Sequence, residues 1–253
     1  KGYDEKFSTG LLASSGAIAI VIPPSISMIL YGASAEVSVS QLFIAGIFPG
    51  LVMALLMAAY IYVYAVSKGI REGSKFDFNT FLHASRQGVL SLGTPFIILG
   101  GIYAGVFSPT EAAGAACVYA IIVTKFIYTD LSWRALWDVS VSSMYLTAQV
   151  LIIVAGAGVF SWLLTISGIP QAAVQAINDL NVQPWTILLV INVFLLIVGC
   201  LLDPGSAILV LTPLLAPIAH AIGVDLVHFG VIMTVNLAIG MFTPPFGLNI
   251  FVA

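Results

Sequence analysis

Long apolar runs separated by short polar or turn-rich breaks organise the chain, and they begin near Phe7, Gln41, Ser91, Ser108, Tyr145, Pro184 and Leu226. A bilayer core about 30 Å thick takes about 20 apolar helical residues to cross, so each run predicts a membrane-spanning helix. The run from Gln41 to Ser67 is interrupted only by Pro49. Ser91 to Val106 is short and glycine-rich, and Ser108-Pro109-Thr110-Glu111 then spells a capping box with proline at the first helical position. That sequence predicts a tight turn between two antiparallel spans. Residues 76–90 and 131–144 mix aromatics with His83, Arg86, Arg134 and Asp138, a composition suited to helices lying along an interface. Residues 170–182 form a third such segment, charged only at Asp179.

Composition agrees with the pattern: 60% of the 253 residues are hydrophobic and 8% charged, against about 25% charged in soluble chains. So few charges cannot cover a globular surface in water, which excludes soluble enzymes and disordered linkers. A net charge of -3 with eight scattered Lys and Arg offers no footprint for nucleic acid. Cys117 and Cys200 lie in apolar runs without metal spacing and predict no disulfide. Lys1 is no initiator methionine and Ala253 falls within an apolar run, so the sequence reads as the internal part of a longer membrane protein.

The basic residues set the orientation, because cytoplasmic loops retain Lys and Arg. Lys1 and Lys6 precede the first span, Lys68, Arg71, Lys75 and Arg86 follow the second, and Lys125 and Arg134 follow the fourth, so all eight fall on one side. The opposite loops, 33–40, 106–110, 169–183 and 223–225, contain Glu36, Asp179 and Asp225 but neither Lys nor Arg. The pair 184–202 and 206–222 then begins and ends outside, and its Leu202-Asp203-Pro204-Gly205-Ser206 turn carries no basic residue. Residues 184–222 therefore read as a re-entrant hairpin, with irregular backbone at a depth tolerated only inside protein or beside a cavity.

Residues 2–32 align without a gap on residues 223–253, with Gly2/Gly223, Asp4/Asp225, Ala17/Ala238, Ile18/Ile239, both prolines and Ile29/Ile250 identical. One copy starts on the basic side and the other on the side lacking Lys and Arg, which predicts an inverted-topology repeat. In each copy an apolar helix meets Pro-Pro near mid-membrane, where two amide donors are lost and the helix must unwind. Unwinding frees carbonyls over Ala19 to Pro24 and Gly240 to Pro245, and with the hydroxyls of Ser14, Ser15 and Thr243 these make hard-oxygen sites for a small monovalent cation. The half-helix beginning after each proline pair points its positive end at the same place, which suits an anion. A double proline can also simply kink a packed helix; two at one register in opposite orientation favour the functional reading.

At these residues the sequence resembles the large membrane subunit of TRAP transporters, the tripartite ATP-independent periplasmic family of the ion transporter superfamily. The stretches SSGAIAIVIPPSISMILYG, LFIAGIFPGL, GIYAGVFSPTEAA, LDPGSAILVLTPLLAPIA and HFGVIMTVNLAIGMFTPPFGLNIFV carry the resemblance across the whole chain. It implies an all-α, multi-pass protein of the bacterial inner membrane, an inverted-repeat elevator that imports an organic carboxylate such as sialic acid or a C4-dicarboxylate with sodium. It also implies a soluble periplasmic substrate-binding protein and a small membrane subunit, separate or fused, as partners. About two sodium sites follow, one from Gly199, the 203–206 turn, Gly240, Thr243 and Phe246. The other draws on Ala19, Ile22 and Pro24 with a first hairpin expected before Lys1. Substrate is placed between the hairpin tips and the helix breaks, among Ser14, Ser15, Pro23, Ser25, Asp203, Gly205, Ser206, Pro244 and Pro245. Ala19 stands where many relatives have glycine, and a carbonyl ligand survives that change. On this reading residues 1–36 and 223–253 are broken helices, 37–75 a scaffold helix, 91–130 a helix pair, 131–168 an interfacial helix followed by a span, and 76–90 and 169–183 interfacial helices.

Glu111 and Asp203 are the carboxylates nearest apolar runs, yet both stand at helix starts, which favours capping over a functional role. Asn236 aligns with Ser15 and serves equally well as a site residue or an interhelical hydrogen bond. His83, His220 and His228 read as solvated or packed histidines, and Trp133, Arg134 and Trp137 as an interfacial belt. A binding-protein-independent sodium or proton symporter for dicarboxylate, citrate or another anion is the near alternative. An intramembrane protease would need H-E-x-x-H, a Ser and His pair or two intramembrane aspartates; the chain has no H-E-x-x-H, and its one midspan aspartate has no twin. A structural subunit would not need duplicated breaks. The orientation predicts that Lys68→Cys and Val224→Cys, in full-length protein with Cys117 and Cys200 replaced by alanine, react with an impermeant maleimide from opposite sides of a vesicle. Labelling of both from one side would overturn it.

Overall fold

A computed structural model describes residues 3–70, 77–179 and 182–252, without the side chains of Gln87, Asn178, Phe251 and Val252. Lys1, Gly2, Arg71 and Lys75, used above for orientation and alignment, lie outside the described residues, as do 180 and 181. Among the described residues the regular structure is helical: α1 Glu5–Val21, α2 Ile26–Ala35, α3 Val39–Ser67, α4 Phe78–Tyr103, α5 Pro109–Ile122, α6 Trp133–Ser167, α7 Ile169–Asp179, α8 Pro184–Leu201, α9 Pro204–Ala221, α10 Leu226–Gly240 and α11 Leu248–Val252. Among the described residues, five spans are long and apolar enough to cross a bilayer: α3, α5 with its extension to Ile127, α6, α8 and α9. The pair α1 and α2, bent by 41° at its break, adds a sixth.

The chain divides into two compact units, Lys1–Arg71 with Ile153–Ala253, and Glu72–Ile152. In the second, α4 packs on α5. The Tyr119 hydroxyl donates to the Leu90 carbonyl at 2.8 Å, and its ring occupies the space that a side chain at Gly93 would need. Ser108 and Glu111 form the expected reciprocal capping box. A π-helical turn, Val123–Ile127, continues α5 and sets the Lys125 ammonium 5.0 Å from the Trp133 ring centroid. Asp77 caps α4, and hydrogen bonds from the Thr80 hydroxyl and the N–H groups of Asn79 and Thr80 hold its carboxyl below the usual carboxylate range.

Two expected boundaries are absent. The described part of 76–90, from residue 77, does not form a separate interfacial helix, because α4 runs unbroken from Phe78 through Pro95 to Tyr103. Likewise 131–144 and the span after it are one helix, α6, of 35 residues or about 52 Å. No proline or glycine falls between Trp133 and Ala155, and Ser140 and Thr147 return their hydroxyls to carbonyls one turn back, so nothing breaks the backbone ladder. Apolar periodicity had marked the change from amphipathic to spanning composition, and composition alone does not end a helix.

In the first unit α3 lies against α1, α2 and α10. The Phe7 ring stacks on Tyr64 with centroids 3.6 Å apart, and Tyr3 and Tyr60 extend the cluster. Further along, Ile22 and Met28 seat on Gly50 and Gly46, while Gly32 meets Val39 and Leu42. These contacts run antiparallel, so α3 folds back along the whole of the first broken helix through the short turn at Glu36, where φ is +54°. Large apolar side chains remain exposed along α3 and α6, including Phe48, Tyr62, Ile152 and Trp162, as a lipid-facing surface allows. Residues 39–67 of the expected scaffold segment thus pack along the first broken helix and on α10.

A methyl group on Gly50 would fall 2.4 Å from Ile22 Cγ1, whereas one on Gly114 meets nothing within 4 Å. Gly50→Ala is expected to cost about 1–3 kcal/mol through overpacking. It should lower the detergent unfolding midpoint of the full-length protein, while Gly114→Ala leaves it equal or higher.

Candidate functional site

The site grows from two places where proline interrupts a helix. In the first, α1 ends at Val21, the Ile22 N–H still reaches the Ile18 carbonyl, and Pro23 and Pro24 follow through a cis peptide bond. Ala19 would bond in a helix to the N–H of residue 23, which proline lacks, and its other neighbour, Ile22, is committed to Ile18. The Ala19 carbonyl is thereby released, and Ala19 is exposed. Ile20 loses its donor in the same way at Pro24, but the Ser25 hydroxyl supplies one. Ser25 also accepts from the Met28 N–H at 3.3 Å, so one buried side chain ends the break and starts α2.

The second break uses the same residues with different partners. α10 stops at Gly240, and Pro244 and Pro245 are again joined in cis. The Gly240 carbonyl, deprived of a donor at Pro244, accepts from Thr243 N–H at 3.0 Å, and the Met241 carbonyl accepts from Asn249 N–H at 2.9 Å. The Thr243 hydroxyl donates to Ile239 at 2.8 Å. Gly247, at φ +47°, turns the chain into α11, and Phe246 is exposed.

The tip between α8 and α9 meets this second break. Leu202 and Asp203 are extended, Pro204 starts α9, and the Asp203 carboxylate accepts from Ser206 N–H at 2.9 Å, so Asp203 is a cap as its context suggested. The Gly247 N–H donates to the Cys200 carbonyl at 3.2 Å. Gly199 and Gly240 touch through backbone alone: a Cβ on Gly240 would lie 2.4 Å from the Gly199 carbonyl carbon. On its other side the tip reaches the first broken helix, where Gly205 lies close to Leu30. Gly199, the 203–206 turn, Gly240 and Gly247 therefore share one locus, with α2 beside it.

Other expected residues stand apart. Ser14 and Ser15 lie about two turns before the first break and donate to Gly10, Leu11 and Leu12 of their own helix. Ser14 instead lines a cleft of about 560 Å³ with Lys6, Met53, Met57 and Phe242. Pro23 is buried, Pro24, Pro244 and Pro245 are exposed, and Ile22 is engaged by Gly50.

Asn236 resolves as an interhelical bond, donating to Asn192 Oδ1 at 2.6 Å, and Asn192 anchors itself to the Leu188 carbonyl. This pair lines a second cleft of about 560 Å³ between α3, α8 and α10. Asn192, Asn249 and Tyr31 were missed by the sequence reading. The signal lay in single polar side chains within apolar runs, which need partners in lipid.

A Gly240→Ala variant should prise the tip from the break. In full-length protein the buried Cys200 thiol is then expected to react with a small maleimide several-fold faster, with the exposed Cys117 as an unchanged control. An unaltered Cys200 rate would contradict the close contact.

Three relatives place this arrangement in context. The family described as the tripartite ATP-independent periplasmic transporter, DctM component, matches residues 1–253. The C4-dicarboxylate TRAP transporter large permease protein DctM of Pseudomonas aeruginosa is 41% identical over 99% of the chain and 59% of its own length. The isethionate TRAP transporter permease protein DctMQ of Oleidesulfovibrio alaskensis is 42% identical over 100% of the chain and 40% of its own length. The 2,3-diketo-L-gulonate TRAP transporter large permease protein YiaN of Escherichia coli is 37% identical over 97% of the chain and 58% of its own length. The chain thus spans about three-fifths, or less, of these relatives.

Proposed function

The chain belongs to the DctM-component family of tripartite ATP-independent periplasmic transporters, and from that premise we propose that it serves in the large membrane subunit of a secondary importer for an organic acid anion. The observation that carries the reading is the meeting of a glycine-lined hairpin tip with a proline-broken helix, beside a second helix broken in the same way. Several relatives' names support this substrate class, since a C4-dicarboxylate, isethionate and 2,3-diketo-L-gulonate are small organic anions, and the ectoine named for two others also carries a carboxylate. The membrane is then the bacterial inner membrane, a periplasmic binding protein delivers the substrate, and a small membrane subunit completes the assembly. Fusion of that subunit is compatible with the greater length of the DctMQ relative.

Sodium is the coupling ion on this reading. Freed carbonyls are hard oxygen donors, and the Ala19 carbonyl, with Ile22 and Pro24, would hold a monovalent cation. At the second break Gly199, Gly240, Thr243 and Phe246 would hold the other ion after a small rearrangement that releases the Gly240 carbonyl from Thr243. Substrate meets the tip residues Gly205 and Ser206 and the positive start of α2, while the Asp203 carboxylate expected there is engaged as the cap of α9.

The inverted repeat is supported by contacts that run in opposite directions: Ala13 of the first copy meets Asn249 of the second, and Tyr31 meets Leu226. On the second copy, Met233, Asn236 and Gly240 are buried, with Asn236 and Gly240 against α8; their counterparts Leu12, Ser15 and Ala19 are exposed. We assign that bare face of α1 to an earlier hairpin. In an elevator movement α3 travels with the breaks it packs against, in place of the static role expected for 37–75.

Thermal unfolding of the purified full-length protein in detergent tests this, with sodium chloride compared with potassium chloride at equal ionic strength. A ligand at 100 times its dissociation constant stabilises by about 2.7 kcal/mol, so a saturable, sodium-specific rise in midpoint is expected. Thr243→Val should weaken it and His83→Ala should not. Equal midpoints in both salts would sink the cation sites.

A further inference from the structure

Two hydrogen bonds join the broken helices crosswise. The Tyr31 hydroxyl, on the second half of the first copy, donates at 2.8 Å to the Leu226 carbonyl, at the first residue of α10. Asn249 Nδ2, on the second half of the second copy, donates at 3.0 Å to the Ala13 carbonyl in α1. Each side chain reaches its acceptor across a glycine. A Cβ on Gly230 would lie 2.3 Å from the Tyr31 ring, and one on Gly16 would lie 2.8 Å from Asn249 Nδ2. The Tyr31 ring is fully buried. The Asn249 N–H meanwhile closes the second break on Met241. A single residue therefore shapes one break through its backbone and grips the helix leading into the other through its side chain.

We propose that Tyr31 and Asn249 are reciprocal braces, positioning residues that make the two helix breaks change angle together, so that a cation bound at one is felt at the other. If α11 swings about Pro244 and Pro245, Asn249 must carry α1 with it or lose its bond. If α2 swings about Pro23 and Pro24, Tyr31 imposes the same choice on α10. Coupling between sites requires an element with two arrangements that both sites bias. On this proposal the four half-helices, held at both ends of an antiparallel pair, are that element. The cation part of this inference rests on the sodium sites proposed above; the mechanical part does not.

The test uses full-length protein with Tyr31→Phe, which removes one hydroxyl, and Asn249→Ala. Sodium titrations of the unfolding midpoint and of uptake are expected to be cooperative in the unaltered protein, with a Hill coefficient above 1 and limited to about 2 by two sites. Either variant should bring it to about 1, a change that general loss of stability does not produce. A non-cooperative unaltered protein, or variants that keep its coefficient, would overturn the proposal. Absence of any sodium response would sink the cation sites instead, and hydrogen exchange in sodium-free protein would then decide the braces. Tyr31→Phe should speed exchange across residues 241–249, and Asn249→Ala across 22–31. Changes confined to the neighbourhood of each lost bond would overturn the mechanical coupling.

Discussion

A backbone carbonyl in hydrocarbon has no water to bond, and everything in the first unit follows from how this chain meets that constraint where proline has removed the donor. At the two helix breaks four carbonyls lose their helical partners: Ala19, Ile20, Gly240 and Met241. Ser25 answers for Ile20, Thr243 N–H for Gly240, and Asn249 N–H for Met241. Ala19 is left open. The two breaks, alike in sequence, therefore differ in state, one offering a free oxygen and the other holding its oxygens in internal bonds.

Glycine does the complementary work. Lipid tails are as apolar as the side chains they would replace, so helices associate through close packing and hydrogen bonds. Gly46 and Gly50 let α3 seat on the first break, Gly199 and Gly240 bring the hairpin tip against the second, and Gly16 and Gly230 admit the two crosswise side chains. Where such seats are missing, as along most of α6, the helix stays exposed, with only Ala157 and Leu164 buried.

Much of this was legible in the sequence, for local reasons. Proline pairs at equal register marked both breaks, the Ser108 to Glu111 box marked the start of α5, and Asp203-Pro204 marked the tip with its cap. Helix ends without such chemistry were not legible, which is why α4 and α6 run through boundaries that composition suggested. Of the residues the sequence singled out, Gly199, Gly240 and the tip lie together, while Ser14 and Ser15 turn back on their own helix. Asn192, Asn249 and Tyr31 escaped because their meaning lies in partners far along the chain, Asn249 and Ala13 being joined across 236 positions.

The contact between Gly199 and Gly240 contains no side chain at all. It has no side-chain size, charge or polarity to adjust, and a side chain at Gly240 would have to open it. Such a joint is inherited whole or lost. Gradual adjustment is left to the side chains around the joint, such as Leu30 and Phe246, whose bulk can change while the latch keeps its form.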